Sequence, residues 1–312
     1  MTRKIIIDTD PGQDDAVAIL LALASPELEV LGLTTVAGNV PLSLTQKNAR
    51  IICEQAGRPD IRVFAGCDAP LNRPLVTAEH VHGRTGLDGP ALWEPEMALQ
   101  DQHGVDFLIE TLRAAPPKSI TLATLGPLTN IATAFARAPD IIENTAEIVA
   151  MAGAYFEVGN ITPTAEFNVF VDPEAAALVV QSGVPLTFLP LDVTHKALVT
   201  PARNDAFRAL PNKTGNFVAQ MTDFFERFDI SKYGSKGAPL HDPTVIAYLI
   251  APELFTGRSI NVEIETSSEL TLGMTVADWW GVSGRAPNAK FIGDLDADGF
   301  FSLLTTRLAR LP

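Results

Sequence analysis

The 312-residue sequence predicts an α/β fold: an open, mostly parallel sheet with helices on both faces and a small antiparallel hairpin. Three features carry this expectation. Short β-branched apolar runs alternate with longer segments of helical period. Helices between successive strands imply right-handed crossovers, which make the strands parallel and cover the sheet on both sides. Late in the chain, two strand-like runs are separated by only three residues, which suits an antiparallel connection. The arrangement is Rossmann-like.

The first strand is Lys4–Ile7, with three consecutive isoleucines. Asp14–Ser25 follows as a helix whose unbroken apolar run, Ala16 to Ala24, marks it as buried. Leu28–Val36 is a second strand and Pro41–Gly57 a second helix. Asp101–Ala115 is helical, Ser119–Thr124 a strand, and Pro127–Ala138 a helix with Pro in its first turn. Glu147–Ala152 is the next strand, Pro173–Gly183 a helix ended by Gly, and Leu186–Pro190 another strand. Arg258–Glu265 and Glu269–Val276 form the hairpin around Thr266-Ser267-Ser268, and a last helix runs from Gly299 to Arg310. No repeat, low-complexity tract or linker interrupts the pattern, so residues 1–312 are expected to form a single domain.

Composition narrows the partners. Lys and Arg number 23 against 37 Asp and Glu, giving a formal net charge of −14, and 46% of residues are hydrophobic. Such a chain has material for a large core but no concentrated basic face for nucleic acid. Its longest apolar run, Ala16 to Ala24, falls short of the roughly 20 residues that a membrane span needs. Behind Arg3 and Lys4 only Ile5-Ile6-Ile7 is apolar, less than a secretory segment requires. Cys53 and Cys67 show no disulfide or metal spacing, and Cys53 reads as a small buried hydrophobe. A cytoplasmic enzyme is the expectation.

The most unusual segment is Asp8-Thr-Asp-Pro-Gly-Gln-Asp-Asp15, with four carboxylates in eight residues between a buried strand and a buried helix. Ligand sites of open α/β sheets lie at this end of the strands. Pro11-Gly12 folds the loop tightly and brings Asp10 back toward Asp14 and Asp15. Carboxylates so close repel one another unless a cation sits among them, and Ca²⁺ or Mg²⁺ suits a site of oxygen ligands alone. Helix capping by Asp14 and dipole complementation by Asp15 explain only two of the four acids.

Three further segments are polar where a strand meets a helix or loop. Leu122–Asn130 passes from a strand through Gly126-Pro127 into a helix, either as a plain strand-to-helix junction or with the Leu125 carbonyl left to offer its oxygen to a cation. Gly159–Asn168 gathers Asn160, Thr162, Glu166 and Asn168, convergent donors and acceptors of the kind a polyhydroxylated ligand needs. His241-Asp242-Pro243 opens a helix. Capping accounts for Asp242 but not for His241, which suits a proton donor or a ligand contact.

Together these segments resemble the inosine-uridine-preferring nucleoside hydrolase family. The match comprises Asp8–Asp15, Thr35-Val-Ala-Gly-Asn39, His82-Gly83, Leu125–Asn130, Met151-Ala-Gly-Ala154, Asn160, Glu166-Phe-Asn168 and His241-Asp-Pro243, in order along the chain. The resemblance implies hydrolysis of the N-glycosidic bond of ribonucleosides to ribose and free base, with a tightly held Ca²⁺. It implies that Asp10, Asp15, Asp242 and the Leu125 carbonyl hold the ion. Asp14, Asn39, Met151, Asn160, Glu166 and Asn168 would grip the ribose, Phe167 would line its pocket, and His82 would face the base. Asp10 is then the general base and His241 the acid or hydrogen-bond donor toward the leaving base. A homodimer or homotetramer is implied as well. The region Phe224–Tyr233 corresponds to residues over the nucleobase, with Phe224, Phe225, Phe228 and Tyr233 as its aromatics.

Other readings fit less of the chain. A haloacid-dehalogenase-like phosphatase shares the Asp-x-Asp after a strand but leaves Asp14, Asp15 and Glu166-Phe-Asn168 unused. A non-catalytic sugar- or calcium-binding module gives Asp10 and His241 nothing to do. Asp294–Gly299 imitates the start of a calcium loop, yet its twelfth position would be Thr305, so a helix cap is the expectation there. His80-Val-His82 has no third ligand for a transition metal, and Trp279-Trp280 reads as packing.

Overall fold

A computed structural model describes residues 2–234 and 236–312, the side chains of 229–233 excepted, so the Tyr233 ring lies outside the described residues. The strands are β1 (Arg3–Thr9), β2 (Leu28–Thr35), β3 (Val63–Ala65), β4 (Ile120–Thr124), β5 (Thr145–Met151), β6 (Leu186–Leu189), β7 (Leu198–Val199), β8 (Ala238–Pro239), β9 (Phe255–Ile264), β10 (Thr275–Asp278) and β11 (Ala289–Leu295). Nine of them make one sheet in the order β10-β9-β11-β6-β5-β4-β1-β2-β3. From β3 across to β6 and β11 every pair is parallel, whereas β9 runs antiparallel to both β10 and β11. β7 and β8 form a separate two-stranded antiparallel ribbon.

Strand period explains the two cores. Ile5 and Ile7 join one buried cluster with Val17, Leu20, Ile52 and Val245, while Ile6, pointing the other way, joins Leu122, Ile131, Phe135 and Phe188. Both faces of the sheet are therefore covered by helices, as the alternating pattern requires. Helix Gln13–Leu23 is buried along nearly its whole length, so its apolar run needs no polar face. No helix among the described residues is long and apolar enough to cross a membrane.

Chain order places the site. β2 and β3 lie to one side of β1, and β4 begins the other side, so the loops after β1 and β4 diverge and leave a crevice at their carboxyl ends.

The hairpin differs in extent from expectation. β10 starts at Thr275, paired with Ile264, instead of at Glu269. Glu265 accepts from the backbone N–H groups of Ser267 and Ser268, and Gly273 takes a positive φ of 76°; together they turn residues 266–274 into a broad connection. Helix Thr129–Arg137 starts after Gly126-Pro127-Leu128. β3, β11 and the helices Pro201–Arg208 and Lys213–Tyr233 had no clear sequence signal. Asp296 caps the last helix, Ala297–Leu308, by accepting from Gly299 N–H at 3.0 Å, and Asp294 pairs with Lys196. Cys53 is fully buried, and burial pushes its thiol up to about 12.

Candidate active site

The acidic loop leaves β1 at Thr9 and enters helix Gln13–Leu23 within four residues, so its carboxylates are held by backbone on both sides. Asp10, Asp14, Asp15 and Asp242 are all buried. One carboxylate oxygen from each of Asp14, Asp15 and Asp242 lies within 4.8 Å of the others. Asp15 accepts from Thr9 Oγ1 at 2.5 Å, from Gly12 N–H at 2.9 Å and from Asn39 Nδ2 at 3.2 Å. Asp10 Oδ2 accepts from Asn39 N–H at 2.7 Å. Its Oδ1, like Asp14 Oδ1, is buried with no hydrogen-bond partner.

Two glycines make room for Asp10. A Cβ at Gly38 would stand 2.1 Å from Oδ2, and one at Gly126 would stand 2.4 Å from Oδ1. No larger residue fits either position without moving the carboxylate.

Burial holds these acids above the ordinary carboxylate range. For Asp10, the charge of Asp15 adds to burial, and Asp14 rises to about 7 for the same two reasons. Asp15 is raised by burial. Asp242 is raised well above its usual value by burial, then by Asp14, Asp15 and Asp10. Buried oxygens without partners, in a donor set of oxygen alone, fit a hard divalent cation, whose charge would offset both the burial and the mutual repulsion of the carboxylates. The acidic cluster could thus hold a metal ion. Asp14, expected on the ribose, stands as close to Asp15 and Asp242 as a ligand would.

Asp8 is a separate group. Its Oδ1 accepts from Asn130 Nδ2 at 2.7 Å and from Thr34 Oγ1, and burial raises its pKa to about 7.

A cavity opens above the cluster, lined in part by Asp14, Asn39, Leu125, Met151, His241 and Asp242. Asn160, Glu166, Phe167 and Asn168 form another stretch of its wall, and His82 a third. Each substrate residue expected from sequence therefore reaches one space. Several are also structural. Glu166 accepts from the N–H groups of Asn168 (2.8 Å), Gly153 (3.0 Å) and Val169 (3.2 Å), capping helix Phe167–Val171; burial pushes its carboxyl up to about 7. Asn160 Oδ1 accepts from Phe167 N–H at 2.9 Å. Asn168 Nδ2 donates to the Leu125 carbonyl at 2.6 Å.

Four of the chain's five histidines line this cavity: His80, His82, His195 and His241. His82 Nδ1 is 2.8 Å from Gln13 Oε1, its ring stacks on Phe225 at 5.5 Å between centroids, and burial lowers its pKa to about 3. His241 Nδ1 is 2.7 Å from Thr194 Oγ1. Burial, then His195 and His82, lower the pKa of His241 well below its usual value, which keeps the ring neutral. Of the expected aromatics, Phe225 and Phe228 reach the cavity, while the Phe224 ring lies beneath the Arg227 guanidinium. His80, set aside above as a transition-metal ligand, lines the cavity, and His195 carries no local sequence signal. The signal for His195 was its place just past the carboxyl end of β6.

A sequence model described as inosine-uridine preferring nucleoside hydrolase matches residues 5–302. The chain is 52% identical over 309 residues to an uncharacterized protein of Schizosaccharomyces pombe, covering 99% of this chain and all of the other (100%). It is 46% identical over 310 residues to the pyrimidine-specific ribonucleoside hydrolase RihA of Citrobacter koseri, covering 99% of each. Among solved structures, a purine-preferring ribonucleoside hydrolase from Gardnerella vaginalis superposes with a TM-score of 0.92 at 31% identity, covering 98% of each chain.

Proposed function

Since the chain belongs to the inosine-uridine preferring nucleoside hydrolase family, we propose that it hydrolyses ribonucleosides in a Ca²⁺-dependent reaction, with pyrimidine ribonucleosides preferred. The observation that carries this reading is one cavity lined by the buried carboxylates of Asp14 and Asp242 and by the imidazoles of His82 and His241. Support for the pyrimidine preference comes from relatives named pyrimidine-specific at 46% identity, against 31% for the purine-preferring structure.

Asp10, Asp15, Asp242 and the Leu125 carbonyl would hold the ion, with Asp14 beside them. A bound Ca²⁺ would neutralise the clustered carboxylates, orient the ribose hydroxyls and polarise the attacking water. Asp10, whose Oδ1 has no other partner, accepts a proton from that water as its oxygen forms the bond to C1′. The C1′–N bond breaks through an oxocarbenium-like state that a carboxylate-rich pocket favours. His241 donates a hydrogen bond to the departing nitrogen, and the leaving base takes its proton from solvent. Asp14, Asn39, Met151, Asn160, Glu166 and Asn168 grip the ribose beside Phe167, and His82 faces the base.

In the same reading the chain is one domain, acts in the cytoplasm and forms a homodimer or homotetramer. The free Cys53 and Cys67 suit a reducing compartment, and the exposed Phe156, Trp280 and Val282 offer apolar surface to a second copy. A panel of uridine, cytidine and inosine, assayed for ribose release with and without chelator, tests the function. Uridine and cytidine should turn over faster than inosine, and chelator should stop all three.

A further inference from the structure

We propose that Asp192 is a positioning residue that holds the loop of Asn160 over the cavity; the inference rests on the ribose-gripping role given to Asn160 above. Asp192 is buried in the first turn of the short helix Leu191–Thr194, just past the carboxyl end of β6. Its carboxylate accepts from three successive backbone N–H groups in the segment after β5. Tyr155 donates to Oδ2 at 2.9 Å, and Phe156 and Glu157 donate to Oδ1 at 2.6 and 3.3 Å. Successive N–H groups that converge on one point form a concavity suited to an anion, and a carboxylate fills it because both of its oxygens accept.

Side chains contribute little to holding this segment. Phe156 is 62% and Val158 70% exposed, and the Phe156 ring meets Tyr155 and Trp279 edge-on. Glu157 is exposed, and its contact with His195 at 3.2 Å is a surface pairing of small worth. On one side the chain is tied at Gly153, whose N–H donates to Glu166 at 3.0 Å and whose carbonyl accepts from Leu191 N–H at 2.9 Å. On the other side the loop is braced by its own bonds. Gly159 N–H donates to the Pro163 carbonyl at 3.2 Å, Ala165 N–H to Thr162 Oγ1 at 2.9 Å, and Phe167 N–H to Asn160 Oδ1 at 2.9 Å. Residues 159–165 thus form one braced piece, and Asn160 and Ile161 on it line the cavity. Between the tie and the braced piece, the carboxylate of Asp192 fixes the path of the chain and so the place where Asn160 stands.

Asp192→Asn is nearly isosteric, but its amide sets a donor against one of the three N–H groups. With uridine at saturating Ca²⁺, the variant should raise KM at least about tenfold and leave kcat within about threefold, the pattern of a lost binding contact. Asn160→Ala should raise KM likewise, and adding Asp192→Asn to it should change KM by less than about twofold, because both act through one contact. Hydrogen exchange of the parent protein needs no variant. The amides of residues 155–157 lie in an exposed segment, yet should exchange at least about 100-fold more slowly than in an unstructured peptide. Exchange at the free rate there, or full additivity of the two substitutions, would overturn the inference. An unchanged KM in Asp192→Asn beside a raised KM in Asn160→Ala would overturn the positioning role alone. If Asn160→Ala itself left KM unchanged, the ribose role of Asn160 and this inference would fall together.

Discussion

The side-chain amide of Asn168 donates to the backbone carbonyl of Leu125 at 2.6 Å, and the same nitrogen reaches the Met151 carbonyl at 3.1 Å. One amide thus bridges the chain ends of β4 and β5 at the floor of the cavity. Its removal frees the carbonyl proposed to touch the ion. Asn168→Ala should lower kcat/KM and Ca²⁺ affinity by about 10- to 100-fold. Asn168→Asp should do worse, because it sets an acceptor against two carbonyls. Steady-state kinetics with a calcium titration on both variants checks the order.

Gly126→Ala tests how tightly Asp10 is enclosed. The added methyl would sit 2.4 Å from Asp10 Oδ1, so the carboxylate must move. We expect kcat to fall at least about 100-fold, the scale of a lost general base, while far-UV circular dichroism stays that of the parent. Near-parental turnover would show that Asp10 tolerates displacement.

Calcium affinity should depend on pH with a defined sign. Asp14 is raised to about 7 by burial and Asp15, so in the ion-free protein it is increasingly protonated below that value. The ion must displace that proton, hence affinity falls as pH falls. Calorimetry should find Ca²⁺ binding weaker at about pH 6 than at pH 8, by up to about tenfold per unit per proton released. Affinity that rose on acidification would contradict the assignment.

Asp8 contributes to stability in a pH-dependent way. Its pKa is raised from 3.8 to about 7, with burial as the cause, so the folded state binds this proton more tightly than the unfolded chain. That contribution is complete below the unfolded value and is lost as pH rises through about 7. Asp8→Asn removes the titration, while its side-chain oxygen can still accept from Asn130 and Thr34. Urea unfolding should show that the variant gains stability over the parent from about pH 4 to pH 8, by at most about 4 kcal/mol. A constant difference across that range would refute it.

The site was legible in sequence wherever a few adjacent residues are chemically odd together. Asp10, Asp14 and Asp15 crowd the turn from β1 into the first helix, and Asp242 follows a histidine at a helix start, so each is conspicuous without knowledge of the fold. The clamp between Asn168 and Leu125 joins positions 43 apart, and no local pattern announces it. His195 follows β6 in a stretch of ordinary composition; only the sheet's topology brings it to the cavity. In the fold, the parallel strands were readable because burial on both faces makes them continuously apolar. β3 is three residues long, too short for any periodicity. The broad turn before β10 was hidden because the apolar residues of Glu269–Val276 mimic a strand, while the deciding contacts come from Glu265 and the left-handed Gly273.

The central claim is tested most directly by measuring ribose released from uridine by the purified protein, as prepared, after chelation and after Ca²⁺ is restored. The account predicts turnover that stops with the chelator, returns with Ca²⁺, and falls at least about 100-fold in Asp10→Asn under saturating Ca²⁺. Undiminished turnover in the chelated protein, or in Asp10→Asn, would contradict it.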